Sequence, residues 1–305
     1  MDISVLLWFQ GLRELLGEFF EFVSVYFSDI LAYSSVLIPF LFYWNIDKKK
    51  GRFMILSLCA GMYLTHLLKL FFHIPRPWVR DARIQPSRQA IHGASGYSFP
   101  SSHTEIAASN YSALGTAVPK FCKVCIVMII LTGLSRMFLG VHTPQDVLAA
   151  VCTALFSVFC AYILVLKSKK NKYDERLLWA GAVLLALAGL LYALMRQAEG
   201  EDIVNAMLIT GVFAGVCPGF LLEERFVGFS PEGSRKEKWI RFLAGIAGTA
   251  AIALPHRIIS VPFLPQEWFA FMSGFLAVLF AVPVYPYILV KIHDRKKKEE
   301  EIWED

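Results

Sequence analysis

Apolar residues come in long blocks along this chain, separated by short connections where lysine, arginine, glycine and proline gather. The blocks run for roughly 17–25 residues, about what an α-helix needs to cross the hydrocarbon of a bilayer. They predict spans at 28–46, 52–72, 101–118, 124–140, 146–166, 177–195, 203–222, 240–255 and 267–290. The fold class expected is all-α: a polytopic membrane helical bundle of about nine transmembrane helices. Residues 1–27 have a different period. Gln10, Arg13, Glu14, Gly17, Glu18, Glu21 and Ser24 recur at three- and four-residue steps, with leucine, phenylalanine and valine between them. That pattern predicts an N-terminal amphipathic helix lying in the interface, in preference to a further span packed with its polar stripe inward.

Composition agrees with a membrane protein. Of the 305 residues 56% are hydrophobic and 18% charged, and the mean hydropathy is +0.52. A soluble domain of this size needs more polar surface to cover its core. The N-terminus lacks a basic start followed by a short apolar core and a small-residue cleavage site, so no cleavable signal peptide is expected. The net charge of +5 has a topological reading. Placing Lys48–Arg52 in the cytoplasm puts Lys120 and Lys123, the 167–176 cluster, the 225–241 cluster and the 291–298 tail on the same side. Inside-facing loops then account for most of the charge, and no nucleic-acid partner is called for. The six cysteines fall within spans or at the cytoplasmic edge, where disulfides are not expected, and the lone Cys122-x-x-Cys125 pair lacks the second pair of a zinc site.

Polar residues concentrate at helix ends on the opposite, extracytoplasmic side. Lys69 ends the second span and is followed by Arg76-Pro77; Pro100-Ser101-Ser102-His103 opens the third; Ser135-Arg136 ends the fourth; and His142 to Asp146 opens the fifth. Charged groups at membrane depth are costly and usually functional. Two guanidiniums and an ammonium meeting at one depth suit the several oxygens of a phosphate. Ser102 with Glu105 fits a capping box, Ser101 being the competing cap, and the helix start would aim free N–H groups at an anion beside His103. Thr143 is a plausible cap with Pro144 in the first helical position, and Asp146 can orient His142 so that its other ring nitrogen is free to attack.

In this order, K-x6-RP, PSxH and SR-x5-H-x3-D resemble the three signature motifs of the type 2 phosphatidic acid phosphatase superfamily, over residues 69–146 and loosely the surrounding spans. The resemblance implies a membrane lipid phosphatase with His142 as nucleophile, His103 as acid and base, and Asp146 orienting His142. Lys69, Arg76, Ser101, Ser102 and Arg136 would bind the phosphate, Pro77 and Pro100 would hold backbone shape, and Ser135 would help position the phosphate. Neither metal nor cofactor is implied. The organisation expected is an interfacial helix at 1–27, a catalytic core at 28–170, additional transmembrane helices at 171–290 and a charged cytoplasmic tail at 291–305. PSSH departs from the common PSGH form and is similar to the sphingosine-1-phosphate phosphatase branch.

The substrate expected is a lipid phosphate or diphosphate: a sphingoid base phosphate, a polyprenyl diphosphate or a phosphatidate. The same site would serve a phosphotransferase, and only acceptor binding separates the two. Vanadium haloperoxidases share the site geometry but are soluble. A lipid transporter is the reading from another class, with Pro218-Gly219, Pro283 and Pro286 as potential helix breaks. His66 shares a helix face with Lys69 and reads more readily as a buried polar neighbour than as a substrate contact. Compact loops favour a bacterial plasma membrane.

Overall fold

The computed structural model describes residues 2–91, 93–167, 187–190, 201–260 and 262–304, and no strand occurs among them. Helices α1 (Asp2–Leu16), α2 (Glu18–Ser35), α3 (Leu37–Asn45) and α4 (Lys48–Phe72) come first. Two short helices, α5 (Pro77–Arg80) and α6 (Arg88–Ile91), lie in the following connection. The bundle continues with α7 (Ser102–Ala117), α8 (Cys122–Phe138), α9 (Pro144–Ala161) and α10 (Glu201–Leu222). It closes with α11 (Arg235–Ala253), α12 (Gln266–Leu279) and α13 (Tyr285–Glu304).

Among the described residues six segments are long and apolar enough to cross a membrane: Glu18–Asn45, Lys48–Arg80, Pro119–Phe138, Pro144–Lys167, Asp202–Val227 and Gln266–Arg295. The expected nine spans differ from this in three places. The 177–195 span lies mostly outside the described residues. The 240–255 span falls on α11, whose first two turns carry Arg235, Lys236, Glu237, Lys238 and Arg241, too many charges to qualify. The 101–118 span is α7, only 16 residues long and wrapped by α2, α4, α8 and α9. Residues 103–111 of α7 are all buried. Its polar side chains pair inside the protein: Ser109 donates to Glu105 Oε1 at 2.6 Å, and Asn110 Nδ2 donates to Ser35 Oγ at 3.0 Å. A helix shielded by protein on every side needs no apolar surface for lipid.

The N-terminal break also moves. The helix ends at Gly17, where φ is +79°, and α2 then runs from Glu18 through residue 27 into the first span. Gln10, Arg13 and Glu21 of the polar stripe face protein, while Glu14 and Glu18 are exposed. Arg13 donates to the carbonyls of Phe138 (2.8 Å) and Gln85, Gln10 Oε1 accepts from Gln85 N (2.9 Å), and Glu21 Oε1 accepts from Ser87 Oγ at 2.5 Å. Trp8, Leu15, Phe19 and Tyr26 point outward. Part of the stripe, Gln10, Arg13 and Glu21, thus docks on the 85–87 connection, and α1 is not among the described helices long and apolar enough to form a further span.

Aromatic packing joins the two halves of the chain. Tyr63 of α4 stacks on Phe213 of α10 with centroids 4.4 Å apart, and Trp44 Nε1 donates to Ala281 O at 2.9 Å. Gly211 and Gly215, one helical turn apart, let α10 approach Phe271 and Phe275 of α12. In α11 the close contacts are made by Gly245, against Trp44 and Tyr285, and by Gly248, against Phe280. At the end of the bundle where α4 begins, fully buried Glu223 accepts from Lys48 Nζ (3.1 Å), Arg52 Nη2 (2.6 Å) and Phe229 N (2.9 Å). Removing that carboxylate leaves two cations and an N–H without their shared acceptor. Glu223→Ala should destabilise the detergent-solubilised protein by about 3 kcal/mol, read as a fall in its thermal unfolding midpoint.

Candidate functional site

Lys69 lies in the last turn of α4, which stops at His73 in the left-handed region (φ 49°) and releases the chain toward Arg76. Both cations are buried, and backbone carbonyls satisfy them. Lys69 Nζ donates to Tyr97 O at 2.5 Å. Arg76 donates to the carbonyls of Gly96 (2.9 Å), Ser95 (2.7 Å) and Val141 (3.2 Å). Tyr97 N in turn donates to Asp202 Oδ2 at 3.0 Å, so α10 braces the loop that holds the cations.

Ser101, not Ser102, caps α7: its hydroxyl accepts from Thr104 N at 3.4 Å and Thr104 Oγ1 at 3.0 Å. Glu105 turns into the core toward Ser109, so the expected capping box does not form. Ser102 occupies the first helical position and lines the cavity beside His103. His103 Nε2 lies 3.0 Å from Asp29 Oδ1. Because a carboxylate only accepts, Nε2 carries the proton. Arg136 Nη1 donates to Ser28 Oγ at 3.0 Å and lies 3.7 Å from Asp29 Oδ1. Ser135 donates to Thr132 O of its own helix at 2.7 Å.

Thr143 caps α9 with Pro144 in the first helical position, as the sequence predicts, and Asp146 completes a capping box with Thr143. Asp146 Oδ2 accepts from Ser98 Oγ (2.7 Å) and Thr143 N (2.8 Å) and lies 3.6 Å from His142 Nδ1, outside hydrogen-bond range. The contact expected between the two side chains is electrostatic in this arrangement. Nε2 of His142 is 3.0 Å from Arg76 Nη1. A guanidinium only donates, so Nε2 holds the lone pair and Nδ1 the proton. Burial first, and the Arg76 guanidinium second, push the His142 pKa well below its ordinary value, while Asp146 pulls the other way.

These groups converge on a cavity of about 870 Å³. Lys69, Arg76, Ser102, His103 and His142 line it; Ser101, Arg136 and Asp146 are not among the lining residues. The later helices supply much of the remaining wall, with Asp202, Asn205 and Leu208 of α10, His256 and Arg257 after α11, and Gln266 and Glu267 of α12. Asp29, Ser98 and Asp202 are the residues that sequence reasoning missed. Asp29 did carry a signal, since it is a carboxylate inside an apolar block and deserved the same suspicion as Lys69. Ser98 and Asp202 carry none, because only the fold brings them to Asp146 and Tyr97.

Two family models match the chain: the PAP2 superfamily over residues 50–170, and the PAP2 superfamily phosphatase transmembrane extension over residues 207–297. Among curated proteins, an undecaprenyl-diphosphatase, BcrC of Bacillus subtilis (strain 168), is 28% identical over 148 residues, covering 48% of this chain and 74% of the relative. No solved structure matches significantly. With both the superfamily domain and its transmembrane extension present, built on membrane-spanning helices, the chain belongs to the PAP2 superfamily as a membrane phosphatase.

Proposed function

We propose that this phosphatase removes phosphate from a lipid phosphate or diphosphate at the extracytoplasmic face, through a phosphohistidine on His142 and without a metal. The observation that carries the reading is the state of His142: its lone-pair nitrogen lies against Arg76, a cation lining the same cavity as Lys69 and His103. The relative named for undecaprenyl diphosphate supports a lipid with a terminal phosphate. Gathering of the basic loops at the opposite ends of the helices supports the outward face, and a plasma membrane fits that topology.

Incoming phosphate oxygens take the Lys69 and Arg76 donors that backbone carbonyls now occupy, together with the amides at the start of α7. Ser101 holds that helix start in place, and Arg136 adds positive potential from behind the cavity wall. Nε2 of His142 attacks phosphorus in line. The P–O bond to the lipid breaks, its electron pair goes to the leaving oxygen, and His103, protonated on both nitrogens with Nε2–H held by Asp29, supplies that oxygen with its Nδ1 proton. Asp146 stabilises the positive charge on the phosphorylated ring. His103, held by Asp29, then takes a proton from water; the hydroxide attacks phosphorus, and the P–N electron pair returns to His142 as phosphate leaves.

His142→Ala should lower kcat for phosphate release by about a thousandfold or more, while wild-type turnover persists in excess EDTA. A mutant with near-normal turnover, or loss of wild-type activity in EDTA, would reject the mechanism. Nucleophilic attack needs the neutral ring, and a lowered pKa keeps His142 neutral as pH falls through its ordinary 6.5. The acid limb of kcat/KM should therefore lie below pH 6.5, as a pH profile on a soluble short-chain substrate will show.

A further inference from the structure

One turn deeper than the cations, the cavity carries two polar side chains that the mechanism leaves unused. His66 precedes Lys69 by three residues on α4, and Asn205 follows Asp202 by three on α10; all four line the cavity. The helices run in opposite directions here, and Lys69 and Asp202 meet through the two ends of Tyr97. Three residues of helix rise is about 4.5 Å, so His66 and Asn205 share a level about that far inside the cationic layer. Farther in, Met62, Ile106, Leu208 and Ile209 make the lining apolar.

The His66 ring has a defined polarity. Nδ1 lies 2.9 Å from Met62 O. A carbonyl only accepts, so Nδ1 carries the proton and the neutral ring presents the Nε2 lone pair. Among the described residues neither Nε2 of His66 nor the Asn205 amide has a hydrogen-bond partner. Both residues are half-buried, and neither has an unpaired polar atom sealed from solvent. Open polar groups in an apolar passage are costly to cover with a chain that cannot pair with them.

We propose that His66 and Asn205 form a headgroup subsite that binds a hydroxyl or ammonium group on the carbons next to the phosphate ester of a lipid monophosphate. This deepens the phosphatase reading and rests on it. With the phosphate among Lys69, Arg76 and His142, a substituent on the second or third carbon reaches the His66 level and the hydrocarbon continues past Met62 and Leu208. A diphosphate would instead place its inner phosphate beside the lone-pair nitrogen of His66, which cannot donate to it. An unsubstituted polyprenyl or alkyl chain would leave both groups unpaired.

The test uses the detergent-purified full chain and compares kcat/KM for lysophosphatidate and sphingosine 1-phosphate with that for a straight-chain alkyl phosphate of equal length and a polyprenyl diphosphate. Wild type should favour the donor-bearing lipids by about tenfold or more. His66→Phe and Asn205→Leu should each collapse that ratio, and His66→Gln, which keeps an acceptor, should retain part of it. A wild-type ratio near one, a preference for the polyprenyl diphosphate, or ratios untouched by both substitutions would overturn the proposal. If a variant does not fold, the wild-type ratio and His66→Gln still decide. Folded wild type that releases phosphate from none of the lipids would instead reject the phosphatase reading itself.

Discussion

Buried cations must be hydrogen-bonded, and most of the end of this bundle that holds Lys69 and Arg76 answers to that requirement. Lys69 and Arg76 cannot be withdrawn from water without acceptors, and the carbonyls of residues 95–97 and Val141 provide them. That need fixes the path of the connection between α4 and α7 and explains why the chain leaves α4 through a left-handed residue at His73. It also explains why Asp202 reaches across from the later helices to hold Tyr97. Carbonyl dipoles satisfy a cation without neutralising it, so the layer keeps its attraction for an anion.

The site depends on both halves of the chain. Residues 50–170 bring the motifs together, but the wall facing them comes from α10, α12 and the turn after α11. At the other end, Glu223 ties the extension to Lys48 and Arg52. Aromatic stacking of Tyr63 on Phe213 and the close approach at Gly211 and Gly215 fill the space between these polar anchors. The extension is a second wall of one cavity, clamped at both ends.

Local grammar was the legible part of the sequence. The cap and proline of Thr143-Pro144 form as read, because both act within one turn, whereas Asp146, read as the hydrogen-bond partner of His142, accepts from Thr143 N instead. Lys69, Arg76, His103 and His142 meet because each sits at a helix end on one side of the bundle. Reading failed where pairing is tertiary. Ser102 with Glu105 has the right spacing for a capping box, yet Glu105 goes to Ser109 because the interior of the bundle surrounds α7. The stripe at Gln10, Arg13 and Glu21 was periodic in the sequence, but only the fold shows what it faces. Asp29 was overlooked because its partners, His103 and Arg136, lie on helices far along the chain.

Helix α7 carries a consequence for how the protein is made. Its Glu105, Ser109 and Asn110 would be costly to expose to lipid, so the segment is poorly suited to entering a bilayer alone. Asn110 pairs with Ser35, and Glu105 packs where Gly61 leaves room for it. Both receiving positions precede α7 in the chain and are synthesised first. The order of elements thus lets a waiting groove of α2 and α4 take up the polar helix as it emerges, with α8 and α9 closing over it afterwards. Biogenesis and the cavity therefore share this helix, because the segment that needs its predecessors in order to insert is also the one that delivers Ser102 and His103 to the cavity.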